Sequence, residues 1–196
     1  MLLDTNAYLR LAKRVRPILG SPFGQKAYVL KILEQVEDEV HGSSRLRFLY
    51  PWFNGAEFSE ERLATRIRLS KHERQTLDSA ASILLAHVRH DAVAYTSHGR
   101  APPSPTDCFI LAFGQIRSAI VATDDLGMHQ LAKDFAIPVW HGYELLKKMH
   151  SAKKIDNNLV REIYAALENN QDLPAAWVDV KHTIFKKIFG GPHSFA

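Results

Sequence analysis

Ala119-Ile120-Val121-Ala122 is an unbroken apolar run with no polar position to turn toward water, and Thr123-Asp124-Asp125 follow it at once. A strand covered on both faces has this pattern, and such strands belong to parallel sheets packed between helices. The acids after it therefore fall where an α/β sheet binds ligands, beyond the carboxyl ends of its strands.

The rest of the chain alternates in the same way as far as about residue 150. Leu2-Leu3 leads into Asp4, and Tyr8, Leu11, Ala12 and Val15 then recur at the spacing of one helical face, which predicts strand, turn, helix. A Pro/Gly/Ser-rich loop from Arg16 to Gly24 precedes a helix expected over about Gln25 to Val40, and a second strand is expected over Arg45 to Tyr50. Pro51 opens a helix carrying Glu57, and Ser70 with Glu73 forms a capping-box pattern ahead of the Leu77, Ala80, Ala81, Leu84, Val88 stripe. Ser97 to Pro105 is a loop that ends on Ser104 as N-cap and Pro105 as first helical residue, so Asp107 sits in a first turn. Asp125 to Phe135 is the next helix, Ile137 to Trp140 a short edge strand, and Tyr143 to Met149 a further helix. The fold expected is a three-layer α/β/α sandwich on a parallel sheet of about five strands.

Residues 1–150 make up that expected domain, and residues 151–196 an extension with two helical patterns. One carries Leu159, Ile163 and Leu167, and the other Trp177, Val180, Ile184 and Ile188. Left in water these stripes would expose several large apolar groups, each worth roughly 1.5 to 3 kcal/mol when buried. The extension is expected to pack on the domain or on a second copy, in a homodimer.

Composition narrows the function classes. The 196 residues are 46% hydrophobic and 23% charged, as in an ordinary globular domain, and the longest apolar runs fall well short of a membrane span. Asp4 stands where a signal peptide would be basic and then apolar, and the single cysteine, Cys108, forms no internal disulfide, so a reducing, cytoplasmic setting is expected. A formal charge of +4 permits a polyanionic partner without demanding one.

Asp4 and Asp124-Asp125 follow strands, Asp107 opens a helix, and Glu57 lies on the helix after the second expected strand. Singly each has an ordinary explanation as a helix cap or a solvated charge. Gathered, they would repel, since two unit charges about 4 Å apart cost ~4 kcal/mol near a protein surface. A hard divalent cation removes that conflict, and Mg²⁺ takes carboxylates while keeping water for chemistry. Carboxylates that hold such an ion suffice for phosphodiester hydrolysis without a nucleophilic side chain.

At these residues the chain resembles the PIN-domain nucleases. The segments are Leu2-Leu3-Asp4-Thr5-Asn6, Pro51 to Glu57-Phe58, Pro105-Thr106-Asp107-Cys108-Phe109-Ile110-Leu111-Ala112 and Val121-Ala122-Thr123-Asp124-Asp125, in the family's order and over about residues 1 to 146. The resemblance implies that Asp4, Glu57, Asp107 and Asp125 are catalytic metal-binding acids for Mg²⁺ or Mn²⁺, with Asp124 at a variable metal position and Asn6 and Thr123 in support. It also implies cleavage of single-stranded RNA to a 5′-phosphate and a 3′-hydroxyl, and a relation to toxins of the VapC type that an antitoxin protein restrains. Arg10, Lys13 and Arg14 share a helical face after Asp4 and are candidate phosphate contacts. The alternatives are a housekeeping RNA-processing nuclease, a non-cleaving RNA- or protein-binding module on the same fold, and an aspartyl-phosphate protein, for which the chain lacks the expected paired acids and lysine.

Overall fold

The apolar run ending at Ala122 forms a buried parallel strand in the computed structural model, which describes residues 1–96 and 101–190. Strands β1 (Leu2–Leu3), β2 (Val121–Ala122) and β3 (Val139–Trp140) pair in that order, all parallel, with Leu3 opposite Ala122 and Ala122 opposite Trp140. On the free side of β1, Lys31 makes a single parallel bridge, its N–H donating to the Met1 carbonyl and its carbonyl accepting from Leu3.

The expected sandwich on five strands is therefore wrong. Among the described residues the sheet has three strands of two residues each, and helices dominate: α1 (Thr5–Leu11), α2 (Glu34–Gly42), α3 (Ser44–Leu49), α4 (Ala56–Thr65), α5 (Lys71–His90) and α6 (Pro105–Ile116), then α7 (Leu126–Asp134), α8 (Gly142–Ser151), α9 (Asn157–Asn169), α10 (Ala175–Asp179) and α11 (Lys186–Phe189). The strand expected over Arg45 to Tyr50 is α3. Ser44–Leu49 holds no β-branched residue, its leucines and arginines favour helix, and the Ser43 side chain caps it by accepting from Leu46 N–H. The helix expected from Gln25 begins only at Glu34, because Lys31 is drawn alongside β1.

Capping chemistry places the other boundaries. Ser70 and Glu73 form the capping box of α5, and Ser104 and Asp107 form that of α6, with Pro105 at its first position. Part of the loop expected over Ser97 to Pro105, residues 97–100, lies outside the described residues.

The extension shares the core of the preceding residues: Val160, Ile163, Tyr164, Leu167, Trp177, Phe185 and Phe189 join the cluster that contains Leu3, Ile110 and Val121. The buried face of its last segment is not the expected one. Trp177 is buried, but Ile184 and Ile188 are only partly so, while Phe185 and Phe189 are fully enclosed. Residues Lys181–Phe185 form a π turn in which Phe185 N–H reaches back to the Val180 carbonyl. The extra residue in that turn rotates the following side chains by one position, so a strict 3.6-residue count selects the wrong pair. Among the described residues, Trp177, Phe185 and Phe189 of the extension are thus buried against its own domain.

Candidate active site

Parallel pairing of β1 with β2 sets Asp4 beside Thr123 at the carboxyl end of the sheet. Thr123 ties three elements together. Its hydroxyl donates to Asp4 Oδ2 and accepts from Asp125 N–H at 3.1 Å. Asp4 also caps α1, its Oδ1 accepting from Ala7 N–H, and Asp125 caps α7, its Oδ1 accepting from Met128 N–H at 2.8 Å. Both acids are thus oriented by backbone donors at the starts of helices.

Asp107 enters from α6, with Oδ2 accepting from Ser104 N–H at 2.8 Å. It lies close enough to raise the proton affinity of Asp4, and Asp125 and Glu39 raise its own. Glu39 projects from α2, where Thr5 Oγ1 donates to its Oε2 one residue from Asp4. Asp107 thus lies within electrostatic reach of three other carboxylates from separate parts of the chain, Asp4, Glu39 and Asp125. Glu39 is absent from the sequence motifs, but a signal for it existed: it follows Val36 by three positions and adjoins Val40, both fully buried, so its side of α2 faces inward.

Glu57, which the motif order put in this role, stands elsewhere. It lies in the first turn of α4 with its side chain 62% exposed and pairs with Arg16 at 2.5 Å. Its neighbour Phe58 takes the buried side of that turn, which turns Glu57 outward.

Crowding shows in the proton affinities. Burial, and then the Asp107 charge, push Asp4 up to about 7 against the hydrogen bonds from Thr123 and Ala7. Burial, with Asp125 and Glu39, pushes Asp107 up to about 6 against its Ser104 contacts. Among the described residues, Asp107 Oδ1, Asp125 Oδ2 and Glu39 Oε1 carry no hydrogen bond. Hard, anionic oxygens in this number fit Mg²⁺ or Mn²⁺ chemically. They are not drawn into a coordination sphere: among the described residues no three such groups stand close enough to hold an ion as they are.

Asp124 serves the opposite side. Successive extended residues point to opposite faces, so Thr123 and Asp125 face Asp4 while Asp124 faces the extension. There Asp124 Oδ1 accepts from Gly142 N–H at 2.9 Å and from the Trp177 indole at 2.8 Å. Burial alone would raise its pKa, yet His141, Arg10, Gly142 and Trp177 together hold it below the ordinary carboxylate value. Arg10 is equally occupied: buried, it lies 3.7 Å from Asp124 Oδ2 and grips Asp172 of the extension through Nε and Nη2 at 3.0 and 2.6 Å. It is thus unavailable to a phosphate, whereas Lys13 and Asn6 are exposed and Arg14 partly so.

Compared with known protein families, with characterised proteins and with solved structures, the chain matches none. The functional reading accordingly rests on the acids and the residues that orient them.

Proposed function

We propose that the chain is a Mg²⁺- or Mn²⁺-dependent endoribonuclease acting on single-stranded RNA, with Asp4, Glu39, Asp107 and Asp125 as its acids. The observation that carries this reading is the position of Asp107 within electrostatic reach of Asp4, Asp125 and Glu39, near the carboxyl end of a parallel sheet, with the proton affinities of Asp4 and Asp107 strongly raised. The choice of RNA rests on the likeness of the motifs around Asp4, Asp107 and Thr123-Asp124-Asp125 to those of PIN-domain nucleases.

The bound ion would neutralise charge on the scissile phosphate and make the attacking water more acidic. The chain's own part is orientation. Thr123 and Ala7 fix both oxygens of Asp4, while Ser104, Met128 and Thr5 each fix one oxygen of Asp107, Asp125 and Glu39 respectively. Water adds to phosphorus as the bond to the 3′ oxygen breaks, and the departing oxygen takes up a proton, leaving a 5′-phosphate and a 3′-hydroxyl. The oxygens of Asp107 and Glu39 that carry no hydrogen bond would accept the proton that the water gives up.

The test is cleavage of a labelled single-stranded RNA with Mn²⁺. Asp107→Asn and Glu39→Gln should each lower the rate by about 10²-fold or more, while Glu57→Gln should leave it unchanged. Full activity in excess chelator, or a Glu39→Gln protein as active as its parent, would remove the reading.

A further inference from the structure

Helix α3 (Ser44–Leu49) buries none of its side chains. Phe48 is 84% exposed on it and Leu49 51%. Yet α3 is not loose. Ser43 caps it, the Arg47 guanidinium donates to the His41 carbonyl at the end of α2, and Leu46 packs partly against the core. A fixed helix that presents an aromatic ring to water near its C-terminal end is a ledge without a covering element among the described residues.

Its position ties it to the acids. Ser43 N–H donates to the Glu39 carbonyl, so α3 starts one turn beyond Glu39. At its other end Tyr50 lies within electrostatic reach of Asp172, Arg10 and Arg45. Arg45 and Arg47 are the only charges on α3, and among the described residues neither is paired with a carboxylate.

This charge pattern selects the occupant. Four carboxylates repel a polyphosphate chain, so a nucleic acid that is to lie across them needs positive charge beside them, and the guanidiniums of α3 supply it. A ring on the same short helix as those guanidiniums offers a stacking face that every base can use, whereas a protein interface would need roughly 1,000 Å² or more of matched surface that one six-residue helix does not offer. We propose that α3 is the substrate ledge of the site, on which a base of single-stranded RNA adjoining the scissile phosphate stacks on Phe48 while Arg45 and Arg47 hold the neighbouring phosphates. This inference rests on the nuclease reading above for the direction in which the strand runs.

Binding of a fluorescein-labelled oligouridine to the full chain, measured by anisotropy in chelator so that nothing is cut, tests it. Phe48→Ala should weaken binding about tenfold and Phe48→Trp should restore it. Arg45→Ala should lower the slope of log Kd against log salt by about 0.7. An otherwise identical strand with abasic positions should bind the parent as weakly as oligouridine binds Phe48→Ala. Unchanged affinity in Phe48→Ala overturns the ledge, and does so even if that variant instead dissociates a dimer in sedimentation, which would assign α3 to a second copy. The two readings separate cleanly. Cleavage with an unaltered KM in Phe48→Ala sinks the ledge alone, Phe48-dependent binding without cleavage in Mn²⁺ sinks the nuclease alone, and no binding to RNA at all sinks both.

Discussion

Replacing Asp4 by Asn should make the metal-free protein more stable, and only above mildly acidic pH. Asp4 is 2% exposed, and burial with the Asp107 charge beside it raises its pKa from 3.8 to about 7. A carboxyl that holds its proton more tightly in the fold than in the unfolded chain contributes stability fully below its unfolded pKa and loses it as pH rises through its folded pKa. The window is thus about pH 4 to 8. A shift of about three units corresponds to about 4 kcal/mol when complete. Asn matches Asp in size, its carbonyl can still accept from Ala7 N–H, and its amide can donate to the Thr123 hydroxyl, so the substitution removes charge with little change of shape. Urea unfolding in chelator should show the two proteins alike near pH 3 and Asp4→Asn ahead by up to about 4 kcal/mol near pH 8. Mn²⁺ should close that gap by stabilising the parent alone. A difference that does not vary with pH, or that favours the parent at pH 8 without metal, would refute the idea that uncompensated charge is concentrated at this site.

The junction between domain and extension can be tested separately. Trp177→Phe keeps the ring packing and removes the indole donor from Asp124 Oδ1, so a loss of about 1 to 3 kcal/mol in urea unfolding is expected; an unaltered midpoint would mean the indole acts through packing alone. Gly142→Ala should cost a similar amount, because a Cβ there would lie 2.8 Å from Asp124 Oδ2 and 2.9 Å from Trp177 Cζ2; a protein of parental thermal stability would contradict that packing. Phe185→Ala should cost about 3 to 5 kcal/mol and Ile184→Ala clearly less, and the reverse order in thermal denaturation would show that the π turn does not set the buried face.

Capping chemistry was the most legible part of the fold. Ser70 with Glu73, and Ser104-Pro105 with Asp107, specify helix starts through bonds made within four residues, so nothing distant can move them. The sheet was less legible because its strands are two residues long, too short for any periodicity to register. Lys31 forms its parallel bridge only because β1 lies alongside, and Arg45 to Tyr50 looked like a strand only because the expected alternation required one there.

The site was legible to the extent that motif and backbone direction coincide. Asp4 and Asp125 follow directly from strands, and their positions are set by the pairing of Leu3 with Ala122. Glu57 was chosen by motif order, which knows nothing of which way a helix turns its faces; Glu39 was recoverable from the buried Val36 and Val40, which point its side of α2 inward. The pair Asp124-Asp125 makes the same point within two residues. Identical in chemistry and adjacent in sequence, they are sent to opposite faces by the extended backbone, one to the acid cleft with Asp4 and the other to Trp177, Gly142 and Arg10. Arg10 in turn holds Asp172, so the extension is anchored to the residue next to a candidate ligand. The segment that lay outside the motif pattern is thereby a support of the site's back wall, and any change that frees Asp124 should be felt at Asp125 through the single peptide bond that joins them.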